Sequence, residues 1–373
     1  MRRLLAALAV AIAVLVTVGG ASAAKPAPAA GFTDFTVSAT PPNPAGTVCP
    51  GSTLCSNGAA EPAIAVSPKG RFFASSENGL GGGTMAWTSG DNGRHYSSTP
   101  SPNDVSTGSD SVGQESGFEP GGGDTDDAVA TAPNAAGNYN AYVVSLSLAN
   151  IDVSTSTDNG TSWTLNPATS LPIDDRPWVA ATGASKVCIS YLTAPGVLLP
   201  QVGLHVECSN DAGHSFTQIA NAYDTSAVGL AASQGGSRTG NLQFDPSNPS
   251  YLYTVFAYEN IEDGPNPNAF LHNVGIAVSS DGGVTWHDYP VHVNPDITAK
   301  YDNQFVNIAV DNAGTVYVAY SDNHGIFYQY STDHGQTFSA PTQVSQGTDT
   351  AVMPWLAAGD AGKVDLVYYQ AAG

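Results

Sequence analysis

An eight-residue pattern, Ser-x-Asp-x-Gly-x-x-aromatic, occurs five times and constrains this chain more than any other feature. The copies are SGDNGRHY (residues 89–96), STDNGTSW (156–163), SNDAGHSF (209–216), SSDGGVTW (279–286) and STDHGQTF (331–338). The Asp side chain accepts hydrogen bonds from backbone N–H groups of a tight turn, and the Ser hydroxyl adds a weaker one. The shared Gly suits a left-handed position that other residues enter at a cost. The aromatic opens the next strand and packs back over the turn. Asp91, Asp158, Asp211, Asp281 and Asp333 are therefore read as structural. They are 67, 53, 70 and 52 residues apart. A hairpin clip recurring at such periods implies a propeller or a similar array.

A second repeat lies upstream of the boxes. It reads EPAIAV from Glu61, DDAVAT from Asp126, RPWVAA from Arg176, TGNLQF from Thr239, FVNIAV from Phe305 and MPWLAA from Met353. Small and apolar residues without polar alternation suit an innermost strand buried on both faces. A β-rich segment follows each copy, as in TVYVAY from Thr315. Six inner strands predict an all-β fold, a six-bladed propeller spanning residues 59–373. The sixth blade has no box, so it is expected to be incomplete or closed by a strand from residues 32–37 (FTDFTV). Residues 106–127 read as a Gly/Ser-rich loop over one face.

The box pattern resembles the Asp box, or BNR repeat, of the sialidase (neuraminidase) superfamily. The resemblance implies a sialidase-like propeller with the boxes on its outer rim, away from substrate. It also implies three arginines that clamp a sugar carboxylate, a Tyr nucleophile with a Glu partner, and an Asp acid/base. Here the chain departs from the family. The place of the family's first Arg-Ile-Pro reads Ala60-Glu61-Pro62-Ala63, so the Pro is kept and the Arg is absent. Beyond residue 23 there are only four arginines, Arg71, Arg94, Arg176 and Arg238. Without a bidentate guanidinium clamp, a carboxylate sugar loses its main charge-assisted contacts.

Residues 1–23 read as a secretory signal peptide: Arg2 and Arg3, an apolar run, then Ala21-Ser22-Ala23 as cleavage signal. Export would leave residues 24–58 as a leader. The four cysteines fit an oxidising compartment. Cys188 and Cys208 fall on neighbouring predicted strands and are expected to pair, and Cys49 and Cys55 would close a small loop. The formal charge of −21 becomes −23 once Arg2 and Arg3 are removed. Such a surface repels nucleic acid and anionic membrane. The expected product is a secreted, extracellular monomer whose partner is a carbohydrate or glycoconjugate.

Loops entering the inner strands of a propeller converge on one mouth of its channel. Glu61, Asp126 and Asp175 are candidate catalytic acids there, and Tyr301 a candidate nucleophile. A glycosidase needs one carboxyl with a raised pKa and one ionised partner. Arg176 and Arg238 would grip polar substituents, Trp178 and Trp355 would stack on a sugar ring, and Asp302 and Asn303 would take hydroxyls. Plainer roles compete: the two Trp as wedges between blades, Glu61 with Arg176 as a structural ion pair. No cofactor is required. Asp124, Asp126 and Asp127 are candidate calcium ligands, since hard cations favour clustered carboxylates, with a solvated acidic loop as the alternative. Two functions follow: a carbohydrate-active propeller, in the strongest case a glycoside hydrolase, or a non-catalytic extracellular module binding glycan or protein.

Overall fold

The computed structural model describes residues 60–77, 83–103, 123–147, 150–167, 174–193, 202–263, 270–303, 305–347 and 350–371. The signal segment, the Cys49 and Cys55 loop and residues 32–37 lie outside them. The described strands form six antiparallel sheets, each a meander running in chain order. Blade 1 is β1 (Ala60–Val66), β2 (Phe72–Glu77), β3 (Thr84–Ser89) and β4 (Ser97–Ser98). Blade 2 is β5 (Gly123–Val129), β6 (Ala141–Ser147), β7 (Asn150–Ser156) and β8 (Thr164–Pro167). Blade 3 is β9 (Asp174–Thr182), β10 (Lys186–Thr193), β11 (Gly203–Ser209) and β12 (Gln218–Asn221). Blade 4, reached through helix α1 (Ala227–Gly235), is β13 (Ser237–Phe244), β14 (Leu252–Tyr258), β15 (Asn273–Ser279) and β16 (His287–Val293). Blade 5 is β17 (Asn307–Val310), β18 (Val316–Ser321), β19 (Ile326–Ser331) and β20 (Thr342–Gln343). Blade 6 has only β21 (Ala351–Ala358) and β22 (Val364–Gln370) among the described residues. The chain is a six-bladed β-propeller, as its repeats predict.

The core lies between blades. Every residue of β11, β14, β15 and β18 is buried, because these strands face a neighbouring blade on both sides. That double burial explains their β-branched and aromatic content. One cluster joins blades 3 and 4 through Trp178, Leu204, Leu242 and Phe256. A second joins blades 4 and 5 through Tyr253, Ile276, Ile308 and Tyr320. Cys188 and Cys208, directly opposite on β10 and β11, form a disulfide within blade 3.

All five box turns link a third strand to a fourth and share one hydrogen-bond pattern. The Ser hydroxyl donates to the Asp Oδ1 at 2.6–2.9 Å and accepts the Gly N–H at 2.8–3.1 Å. The same Oδ1 accepts the N–H of the seventh residue, and Oδ2 takes that residue's side chain at 2.6 Å. The seventh residue is His95, Ser162, Ser215, Thr285 or Thr337, a requirement the eight-residue pattern leaves open. Both residues after the Asp are left-handed, for example Ala212 at φ 62° and Gly213 at φ 83°.

The innermost strand of a blade has an edge that needs partners. Side chains of the preceding blade supply some of them. The Val179 N–H donates to Asp126 Oδ2 at 2.9 Å, Ile308 N–H to Asn241 Oδ1 at 2.8 Å, and Leu356 N–H to Asn307 Oδ1 at 2.6 Å. Asn241 and Asn307 fill the third position of their repeats, so Asp126, which makes the same bond, fills it in blade 2. The repeat in blade 2 is therefore Asp124-Thr125-Asp126-Asp127, two residues earlier than the sequence alignment sets it. Two acids in a row where other copies have small or apolar residues hid that register. It also moves residues 123–127 from the expected loop into β5.

Candidate functional site

Each of β1, β5, β9, β13 and β21 shifts register where it enters the mouth: between Ala60 and Ala63, Gly123 and Thr125, Asp175 and Trp178, Thr239 and Leu242, and Val352 and Trp355. In four of them the bulge holds a non-glycine residue at positive φ: Glu61 (45°), Asp124 (30°), Arg176 (57°) and Met353 (57°). Bulges re-aim side chains, and such left-handed residues cost about 1–3 kcal/mol each, held in place by the surrounding blades. The four occupy one repeat position, so four blades spend strain to present one side chain each.

A cavity of about 380 Å³ opens there. Glu61, Pro62, Thr125, Asp126, Arg176, Trp178, Phe305, Met353 and Trp355 are among its lining residues, drawn from blades 1, 2, 3, 5 and 6. Its wall is aromatic. Trp178 lies edge-on to Phe305 at 5.5 Å and tilted against Trp355 at 6.2 Å. These contacts join blade 3 to blades 5 and 6, so the two Trp meet across the channel, while Trp178 also packs into the core between blades 3 and 4. Trp355 is 43% exposed, whereas Trp178 is 7% exposed and its buried indole N–H has no hydrogen-bond partner among the described residues.

Arg176 is fully engaged. Its guanidinium donates to both oxygens of Glu61 at 3.1 and 3.3 Å, lies 3.4 Å from Asp124, and covers the Phe305 ring at 4.3 Å. The Asp124 carboxyl also lies beside those of Glu61 and Asp175 and interacts with both. Burial, reinforced by the Glu61 contact against the pull of Arg176, pushes its carboxyl up to about 6. Burial and then Asp124 raise Asp175, and the same two causes raise Glu77. Carboxylate oxygens of Glu61, Glu77 and Asp124 lie within 4.8 Å of one another.

The proposed site residues thus separate. Glu61, Asp126, Arg176, Trp178 and Trp355 line the cavity, whereas Asp175 lies against Asp124 and neither of these two lines it. Asp126 spends an oxygen on the Val179 N–H, and burial raises its carboxyl, so it serves blade cohesion. Tyr301 is not brought to Glu61. It is buried between blades 4 and 5, and its hydroxyl accepts from Asn294 Nδ2 at 2.8 Å. Burial raises that phenol further, opposite to a nucleophile's need. Arg238, Asp302 and Asn303 do not line the cavity. Arg238 is exposed on β13. Of the other arginines, Arg71 donates to Thr88 and Arg94 to the Asp91 carbonyl, both on the rim. No guanidinium triad assembles among the described residues. The candidate calcium ligands also part: Asp127 is buried facing Ser75 of β2, away from Asp124. Phe305 and Glu77 escaped sequence reasoning. Phe305 could have been found as the residue aligned with Glu61 and Arg176, but no signal in the sequence marks Glu77.

No family model matches the chain, and no curated protein does. Solved structures share its fold at low identity. The α-L-arabinofuranosidase Arb93A from Fusarium graminearum is 14% identical with a TM-score of 0.51, covering 84% of this chain and 93% of that one. An α-L-arabinanase from Penicillium chrysogenum is 13% identical with a TM-score of 0.50 over 84% and 93%. A Hadza microbial sialidase is 13% identical with a TM-score of 0.49, covering 83% of this chain and 63% of its own.

Proposed function

We propose that this chain is an exported propeller that recognises a glycan at the channel mouth without cleaving it. The observation that carries the reading is the aromatic wall of Trp178, Phe305 and Trp355 around a cavity of about 380 Å³. Aromatic faces take the apolar side of a pyranose. Carbohydrate-acting proteins on the same fold, the arabinofuranosidase and the arabinanase, agree with a carbohydrate ligand. The paired cysteines of blade 3 agree with export.

Binding is favoured over hydrolysis by the state of the charged groups. Carboxyls of a glycosidase stand about 5–9.5 Å apart, with sugar or water between them. Here Asp124 lies directly against Glu61 and Asp175, and Arg176 is tied to Glu61. A hydrolase reading keeps one support, the raised carboxyl of Asp124 beside Glu61, which is the profile of a general acid. A glycan-binding screen of the protein beside Trp355→Ala, with aryl glycosides in parallel, tests both. Binding lost in the variant with no turnover is expected. Turnover abolished by Asp124→Asn in a folded protein would replace recognition by catalysis. Silence in both assays would end the glycan reading.

A further inference from the structure

The polar side chains on the cavity wall are already bonded, and several apolar ones are uncovered. Four polar side chains line it among the described residues. Arg176 holds both oxygens of Glu61 at 3.1 and 3.3 Å. The Thr125 hydroxyl donates to the Glu61 carbonyl at 3.1 Å, and Asp126 accepts the Val179 N–H at 2.9 Å. Beside them Ile64, Met353 and Trp355 line the same cavity at 54%, 44% and 43% exposure. Resting on the glycan reading above, we propose that the ligand is a 6-deoxyhexose, a sugar whose C5 carries a methyl group in place of a hydroxymethyl. Its ring lies against Trp355, and its methyl group meets Met353 and Ile64.

Such a wall selects against more polar substituents. A hydroxyl moved from water onto it gives up its water bonds, while each polar side chain there already has a partner within the protein. An acetamido group would bring both a donor and an acceptor to the same wall. A carboxylate would meet a guanidinium whose charge Glu61 already matches. A methyl group needs no partner and gains from burial against thioether and aliphatic carbon. The second observation is backbone strain. Met353 sits at φ 57° in the register shift of β21, at the repeat position that Glu61 and Arg176 hold in their blades. Those two use the left-handed conformation to form their ion pair across the mouth. A thioether has no ion pair to make, so what the strained backbone of Met353 provides is an apolar contact at the cavity.

Calorimetry on the full chain tests this with methyl α-L-rhamnoside against methyl α-L-mannoside, and methyl α-L-fucoside against methyl α-L-galactoside. Each pair differs by the C6 hydroxyl alone. In at least one pair the deoxy sugar is expected to bind roughly tenfold tighter, the combined size of a buried methyl group and a hydroxyl not stripped of water. Met353→Gln and Ile64→Thr nearly keep the shape of two exposed residues, so the fold should stand, and each should cut that preference about threefold or more. Ile219→Thr, equally exposed on β12 and outside the cavity, should leave it unchanged. Equal or weaker binding of the deoxy sugar in both pairs overturns the inference and leaves glycan recognition standing. So does a broad panel in which only glycans without a C-methyl group bind. A preference that survives both Met353→Gln and Ile64→Thr overturns it too, because the methyl group would then lie elsewhere. Cyclohexanol binding as tightly as the deoxy sugar, with the same variant dependence, would make the mouth a site for apolar molecules at large and also overturns it. If no glycan of the panel binds, the reading beneath it falls.

Discussion

The rim and the mouth of this propeller use the same residue type to opposite ends. On the rim, Asp211 and Asp333 accept bonds from a hydroxyl, an N–H and a neighbouring side chain, which hold their carboxyls down at about 2. At the mouth, burial and like charges push Asp124 up to about 6 and raise Asp175 and Glu77. The rim turns are alike five times over, whereas the mouth holds a different residue in each blade: Glu61, Asp124, Arg176, Thr239, Phe305 and Met353. The repeat secures the hairpins, and its breakdown at one position builds the site.

The largest way to break this contrast is at the mouth's backbone. A Cβ on Gly240 would strike the Val306 carbonyl of blade 5. Gly240→Ala is expected to lower stability by at least ~3 kcal/mol, since backbone on backbone cannot repack. Urea unfolding would read it, and a change below 1 kcal/mol would mean the blades shift freely. Next comes a single rim carboxylate. Asp281→Ala orphans the Val284 and Thr285 N–H groups; the turn is solvated, so ~1–2 kcal/mol is expected, with ligand binding intact. A loss of binding would show that rim and mouth are coupled.

A sharper comparison uses pH. The folded state binds a proton at Asp124 more tightly than the unfolded chain does, so stability from this group is full below 3.8 and falls as pH rises toward 6. Partial exposure screens the effect to ~1–2 kcal/mol. Asp124→Asn should therefore flatten the stability profile between pH 4 and 6. Rim acids have the opposite sign. Asp211 contributes stability above the unfolded value near 3.8 that is lost as pH falls toward 2. Asp211→Asn should alter only that acid limb, and a variant profile that changes in the other window would refute the assignment. The smallest structural effect belongs to Trp355→Ala. At 43% exposure its loss should cost ~1 kcal/mol or less while removing ligand binding. A large destabilisation would make Trp355 a structural wedge.

Much of the architecture was legible because a hairpin clip is local. Ser279, Asp281, Gly283 and Trp286 act within eight residues, so counting such groups predicts the third and fourth strands of five blades. The inner strands were legible from their apolar runs, except in blade 2, where Asp126 and Asp127 stand in place of apolar residues. There the pattern was aligned two residues late, and only the Val179 N–H on Asp126 sets it right. The mouth was legible as a neighbourhood and not as a set of contacts. Arg176 and Trp178 were rightly placed there, but Tyr301 was not, because its distance from the strand start hides whether the chain turns inward or into the core.

By itself the sequence determined the blade count, the rim turns and the Cys188–Cys208 pairing, because each rests on bonding between residues near one another in the chain. Only the tertiary structure decided for the Glu61–Arg176 ion pair over a free, sugar-gripping Arg176, that Trp178 meets Trp355 across the channel, and that Glu77 joins the acids. Those contacts depend on how six sheets close around an axis and where each bulge aims its side chain. A repeat pattern carries no information about which unlike residues its closure will bring face to face.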